Sequence, residues 1–509
     1  MAPKLAGRFV ALILSPVLAA AALALVVWGA RAAPASPSYF VTAGGAGSCA
    51  QSSPCQLQTA LGLAGTGNTV YVAKGTYHGA GAAVITLTHS IKLQGGWSGN
   101  PSGPPIIDLA ANPTTLDGQG SRRGVYVSSG LTPTIDGFIV TRGNATGLFA
   151  GCLGDSAKGC GGGMFVDHAA AAIEDDTFVN NTALVTATVY GQGLGGGLYL
   201  ESASGSVITH NVFLSNTGAV AGFLTMQGNG GGLTIDGNNT NTVVVENNQF
   251  IGNVGAQWGG GMALEFTHGV QVQGNLFQNN SAFSGGGLYT WYCNAEVMGN
   301  TFRGNTGDGA AYLGYFTGPF AGNLLVDNPA GSGILVTDGT GGVLAIVYNN
   351  IVGHSGVGLD AYAYPGGPLN LIALHNTLVG SGAGTGLLVE GSHVTVTANN
   401  NLLSGFATGI MSLHPASVTV DANYTLFDLD VGAPGNALFT HNVFGPAAFV
   451  DPATRNYHIQ FISAARDAGA SSFVTTDFDG DPRPLGAAPD IGADETRFVT
   501  AEFWPLILR

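Results

Sequence analysis

Charge is scarce in this chain. Of its 509 residues only 9% are Asp, Glu, Lys or Arg, and the 15 basic residues face 30 acidic ones, a formal charge of −15. Nucleic-acid partners require a clustered basic footprint, so that class of function is set aside, and an acidic, extracytoplasmic surface is expected. Glycine is abundant, at 82 residues, and is close to the least favourable residue in a helix interior. A helical solenoid or bundle is therefore excluded. Cysteine is limited to five residues, and no Cys/His set has the spacing of a zinc site.

What the chain has instead is a repeat. Glycine triplets begin at Gly161, Gly195, Gly230, Gly259 and Gly285, and a Phe-x-x-Asn pattern follows each one, from Phe178, Phe213, Phe250, Phe277 and Phe302. Successive Phe positions are 35, 37, 27 and 25 residues apart, within the range of repeat architectures. Short runs of Val, Ile, Leu and Phe between Gly and Asn corners read as strands. Met164 and Val166, Leu198 and Leu200, Leu233 and Ile235, and Met262 and Leu264 alternate with a period of two, which defines one inward face. An all-β fold follows, a parallel β-helix in which Phe stacks on Phe and Asn on Asn, with Gly and Asn supplying corners at positive φ.

The triplet-plus-Phe-x-x-Asn unit resembles the repeats of polymorphic outer membrane proteins. More broadly, residues 161–305 resemble right-handed parallel β-helix proteins of the pectate-lyase-like superfamily. The resemblance implies the fold; activity does not follow, since such coils carry lyases, hydrolases and adhesins.

In chain order, residues 1–33 read as an export signal: Lys4 and Arg8 precede an uncharged run from Phe9 to Ala30, which is either cleaved near Ala32 or retained as an anchor. Residues 34–38 read as a linker. Residues 39–99 form an N-terminal cap with a short helix near Pro54–Ala64, followed by a β-helix of ten to twelve coils over residues 100–430. Cys49 with Cys55 and Cys152 with Cys160 are spaced for local disulfides in an oxidising compartment, leaving Cys293 buried. Residues 431–496, with Asp477-Phe478-Asp479-Gly480-Asp481 and Asp490-Ile491-Gly492-Ala493-Asp494-Glu495, are similar to the choice-of-anchor tail of secreted bacterial β-helix proteins; the resemblance implies a C-terminal cap. Residues 497–509 form an apolar tail.

Several stretches bear on chemistry. Asp477, Asp479 and Asp481 resemble the start of a calcium loop, but the twelfth position is Ala488 where an EF-hand requires Glu; a Ca²⁺-supported turn is the remaining metal expectation. Asp176 invites comparison with the acidic pairs of polygalacturonase-like enzymes, yet it occupies the slot that Asn211, Asn248, Asn275 and Asn300 fill in later coils, which marks it as scaffold. His210, His354 and His375 read as corner residues. Two outward columns carry the functional expectation. One reads Phe165, Tyr199, Thr234, Ala263, Tyr289; the other reads Asp167, Glu201, Asp236, Glu265, Trp291. Carboxylates on strands about 4.8 Å apart repel. A ladder of them beside Phe165, Tyr199, Tyr289 and Trp291 would suit a cation or a sugar chain. The expected protein is a monomeric, secreted or surface-exposed β-helix that binds a polysaccharide or cell-surface glycan, meeting membrane only through an uncleaved N-terminal segment. The alternative is a polysaccharide lyase or glycoside hydrolase using Asp167, Glu201, Asp236 and Glu265.

Overall fold

The computed structural model describes residues 37–148, 152, 158–185, 191–220, 227–240, 242–329, 331–338, 343–353, 356–365, 367–414, 417–428 and 437–496. The export signal, most of the linker, His354 and the apolar tail lie outside the described residues. Among these, no helix is long and apolar enough to cross a membrane.

One rung shows how the sequence folds. From the corner at Gly195, held at φ +62°, the chain runs through strand Leu198–Glu201, bends, and continues as strand Val207–Thr209. His210 at φ 58° turns it into strand Val212–Leu214, and Ser215 at φ 54° turns it again. A Cβ on Gly196 would lie 2.4 Å from the Thr217 carbonyl oxygen, so the second triplet position admits only Gly. Repetition of this rung in parallel register produces a 24-stranded sheet that bends to form two faces and a 14-stranded sheet that forms the third. The third-face strands run from Gly75–Tyr77 to Val443–Phe444, so the rungs extend past both ends of the 100–430 span expected from the repeat.

The core is the expected one. Phe178, Phe213, Phe250, Phe277 and Phe302 are fully buried, with consecutive centroids 4.7–4.9 Å apart and ring planes within 7°. Two asparagine ladders flank this stack. In one, Asn211, Asn248, Asn275, Asn300, Asn323, Asn350 and Asn376 each donate backbone and side-chain N–H groups to the Oδ1 of the next member. Asp176 heads that ladder: its N–H donates to Asn211 Oδ1, and its own Oδ1 accepts from Phe138 N at 2.6 Å. Its scaffold role is thereby accounted for.

Cys49–Cys55 and Cys152–Cys160 are disulfides, and Cys293 is free and buried. Helix Leu57–Leu63 buries Leu57 and Ala60 against the first rungs. Residues 446–496 lie along the flank of the solenoid, a different position from the end cap that the tail resemblance implies. Tyr457 and Ala493 pack on Val326 and Ile351, while Ile459, Ala465 and Ile491 pack on Leu402 and Leu426. A buried Arg483–Glu495 ion pair at 2.8 Å ties this segment together, and Arg483 also donates to the carbonyls of Asp490 and Gly492.

Candidate functional site

The outward columns are in register as read from the sequence: Phe165, Tyr199, Thr234, Ala263 and Tyr289 are mutual neighbours on successive rungs, and so are Asp167, Glu201, Asp236, Glu265 and Trp291. They do not form an open stripe. Phe165 and Tyr199 are wholly buried, Glu201 is 5% exposed and Asp236 9%. The expectation that Phe165 and Tyr199 present ring faces to a sugar is therefore corrected.

The cause lies in the connections. Thirteen residues separate Asn181 from Gly195 and Asn216 from Gly230, against five from Asn253 to Gly259 and four from Asn280 to Gly285. The long connections return as strands Lys158–Cys160, Gln192–Leu194 and Gln227–Asn229, which pair in parallel outside the main sheets. Cys152, Cys160 and Leu194 then cover Phe165 and Tyr199. Arg123 pins the covering with hydrogen bonds to the carbonyls of Cys160 and Leu148 at 2.8 and 2.6 Å, its guanidinium 5.4 Å from the Phe165 centroid.

Where the long connections stop, the surface steps down into a cleft of about 470 Å³. Gln192 and Asn229 form its raised side. Trp258, Phe283, Tyr289, Trp291 and Tyr312 line its floor and lower side, with Glu265 among them. Trp258 and Tyr289 stack at 5.9 Å, Tyr289 and Tyr312 at 5.0 Å, and Trp291 lies nearly parallel to Tyr289 at 6.3 Å. Tyr289 and Tyr312 are 5% and 4% exposed, whereas Phe283 is 73% exposed. At the rim Phe266, Tyr292 and Tyr315 stack along the axis, all three in the left-handed region at φ 52°, 51° and 48°. His168 and Ser202 hold the same corner on earlier rungs at φ 47° and 48°, so the conformation belongs to the rung.

Three carboxylates of the ladder, Asp167, Asp236 and Glu265, are held by separate means. Tyr126 donates to Asp167 at 2.6 Å, and His168 contacts its other oxygen. Tyr199 donates to Asp236 at 3.3 Å, and burial raises the Asp236 carboxyl. Asn229 Nδ2 donates to Glu265 Oε1. Burial, reinforced by the Asp236 charge, pushes Glu265 up to about 8.

Periodicity singles out Glu265, Tyr289 and Trp291, and the cleft brings these three together. It misses Trp258, Phe283 and Asn229, which sit on connections. Trp258, Asn229 and Ser284 each directly precede a glycine triplet, so aligning the residue before the corner would have found that column.

Asp477 accepts backbone N–H bonds from Asp479, Asp481 and Glu495 at 2.7–2.9 Å, which makes it the organiser of a turn. Asp479 faces His458, with Nε2 and Oδ2 2.6 Å apart.

Residues 115–305 match the family model described as right handed beta helix region. No curated protein sequence matches the chain. Among solved structures it is similar to the pectate lyase Pel9A (TM-score 0.38, 14% identity, 92% of this chain and 98% of that one). It is also similar to XylC in complex with xylose (0.37, 10%, 90% and 98%). A third is the catalytic domain of a GH87 alpha-1,3-glucanase in complex with tetrasaccharides (0.26, 10%, 86% and 70%).

Proposed function

We propose that this protein is an extracytoplasmic, carbohydrate-binding right-handed parallel β-helix, and that the aromatic cleft at the step is its glycan site. The observation that carries the reading is the convergence of Trp258, Phe283, Tyr289, Trp291 and Tyr312 in one concave cleft. Flat rings pack against the apolar faces of pyranose rings, and the amides of Gln192, Asn229 and Gln257 beside them suit ring hydroxyls. Two disulfides support an oxidising location. Among the described residues that line the cleft there is no Lys or Arg, which favours a neutral sugar chain over a uronate polymer.

The pairing of Glu265 with Asp236 on neighbouring rungs supports a second reading, glycoside hydrolysis, in which one carboxylic acid protonates the leaving oxygen and the other carboxylate acts as nucleophile or activates water. The two are separated by one set of measurements. Wild type, Trp291→Ala and Glu265→Gln are titrated with neutral and acidic oligosaccharides by calorimetry and assayed for new reducing ends. Binding that weakens at least tenfold in Trp291→Ala, about 1.4 kcal/mol, is the expected result. Hydrolysis lost in Glu265→Gln with binding retained would establish the second reading. Wild type that binds no glycan on a broad array, or Trp291→Ala that binds as wild type does, refutes the assignment of the cleft.

A further inference from the structure

A second cluster lies away from the cleft, in the segment along the flank. His458 from strand Asn456–Ile459, Asp479 from the Asp477–Asp481 turn and Asp494 near the end of the described chain each offer one ligand atom, all within 4.8 Å of one another. They open on a cavity of about 730 Å³, enough room for water to complete a coordination shell.

The hydrogen bonds around the cluster decide which atoms are available. Asn456 Oδ1 accepts the backbone N–H of His458 at 3.2 Å, which identifies it as the amide oxygen, and it lies 2.6 Å from His458 Nδ1. Nδ1 therefore carries a proton and donates it. Nε2 is left facing two carboxylates. A metal-bound histidine is oriented in this way, through its other nitrogen. Asp494 is only 7% exposed, its Oδ2 accepts from Ile459 N at 2.7 Å, and it lines the cavity together with His458 and Asp479. Two carboxylates thus meet one imidazole at the cavity wall, and a dication offsets their charge.

We propose that His458, Asp479 and Asp494 form a site for a divalent transition metal of the Zn²⁺ or Mn²⁺ class. One imidazole nitrogen with two carboxylates and open positions for water suits such ions, whereas Ca²⁺ sites are built from oxygen alone. Metal–ligand bonds of ~2.0–2.1 Å place tetrahedral ligands ~3.3 Å apart, so the 2.6 Å gap between His458 and Asp479 opens by less than about 1 Å, which the exposed Asp479 side chain accommodates. The three ligands come from segments separated by 21 and 15 residues, so the metal staples the flanking segment to itself.

The test uses the full chain, stripped with chelator and titrated with ZnCl₂, MnCl₂ and CaCl₂ by calorimetry, with bound metal counted by elemental analysis. The variants are His458→Gln and Asp479→Asn, both altered at exposed side chains so that the fold is kept, as circular dichroism checks. The expected result is one Zn²⁺ or Mn²⁺ per chain in wild type, lost in both variants, with a metal-dependent rise in Tm of roughly 2 °C or more in wild type alone. Binding of Ca²⁺ only, no binding at all, or a stoichiometry of one that persists in both variants overturns the proposal.

Discussion

Asn253 is the position where the ladder can be tested most directly. It is fully buried. Its Oδ1 accepts the backbone N–H of Asn216 at 2.9 Å and one Asn216 side-chain hydrogen at 3.0 Å, while its Nδ2 donates to the Phe213 carbonyl at 2.9 Å. Replacement by Ala removes the acceptor from two buried donors and one donor from a buried carbonyl. An orphaned buried group costs ~1–3 kcal/mol, so the two donors alone predict a loss of ~2–6 kcal/mol. The control is Asn279→Gly. Asn279 is exposed and sits at φ 54°, a conformation that Gly adopts freely, and a surface change of this kind stays within about 0.5 kcal/mol. Guanidinium unfolding followed by tryptophan fluorescence reads both, since Trp258 and Trp291 lie on neighbouring rungs. A loss below ~1 kcal/mol for Asn253→Ala would refute the reasoning and leave Phe stacking and backbone pairing to hold the rungs alone.

Two further outcomes depend on pH. Glu265 takes up its proton more readily folded than unfolded, near pH 8 against an ordinary value of 4.5. The native state therefore binds more protons between those limits, and stability falls as pH rises through them; Glu265→Gln should flatten that slope in a Tm-versus-pH series, and an unchanged slope counts against a buried acid there. His375 is fully buried between Asn400 Nδ2 at 2.8 Å and Ser472 Oγ at 3.1 Å, and burial lowers it from 6.5 to about 3. Here the unfolded state binds more protons, so stability is complete above pH 6.5 and is lost as pH falls toward 3. Protection factors in residues 467–476, corrected for the intrinsic pH dependence of amide exchange, should fall at pH 4 relative to pH 7 in wild type, and a His375→Asn variant that shows the same fall would assign the effect elsewhere.

The parts of the molecule legible in the sequence are those that obey the repeat. Phe178 through Phe302, the asparagine ladders and the register of both outward columns follow from spacing, because parallel stacking places equivalent positions over one another. Burial of the columns was not legible. It depends on how the connections after Asn181 and Asn216 fold back, and those stretches share their length and, at equivalent positions, only Thr182/Thr217, Val185/Val220, Gln192/Gln227 and Gly193/Gly228. Phe165 and Tyr199 alternate outward like any surface residue, yet a covering strand and the Cys152–Cys160 disulfide close over them. His458 and Asp494 escaped for a related reason: 36 residues separate them, and only the packing of the flank against Leu402 and Ile351 brings them together.

The step that forms the cleft is set by counting rather than by chemistry. Shortening the Asn216–Gly230 connection from thirteen residues to five would shift the edge of the covering one rung toward the N-terminus, about 4.8 Å, and uncover the rung that carries Thr234 and Asp236. Lengthening the Asn253–Gly259 connection would roof over Trp258 and Glu265 instead. Every ladder asparagine and stacked phenylalanine would stay in place through either change. The opening thus behaves like a slider on a rail, free to change position and lining through insertion and deletion while the rail itself stays constant.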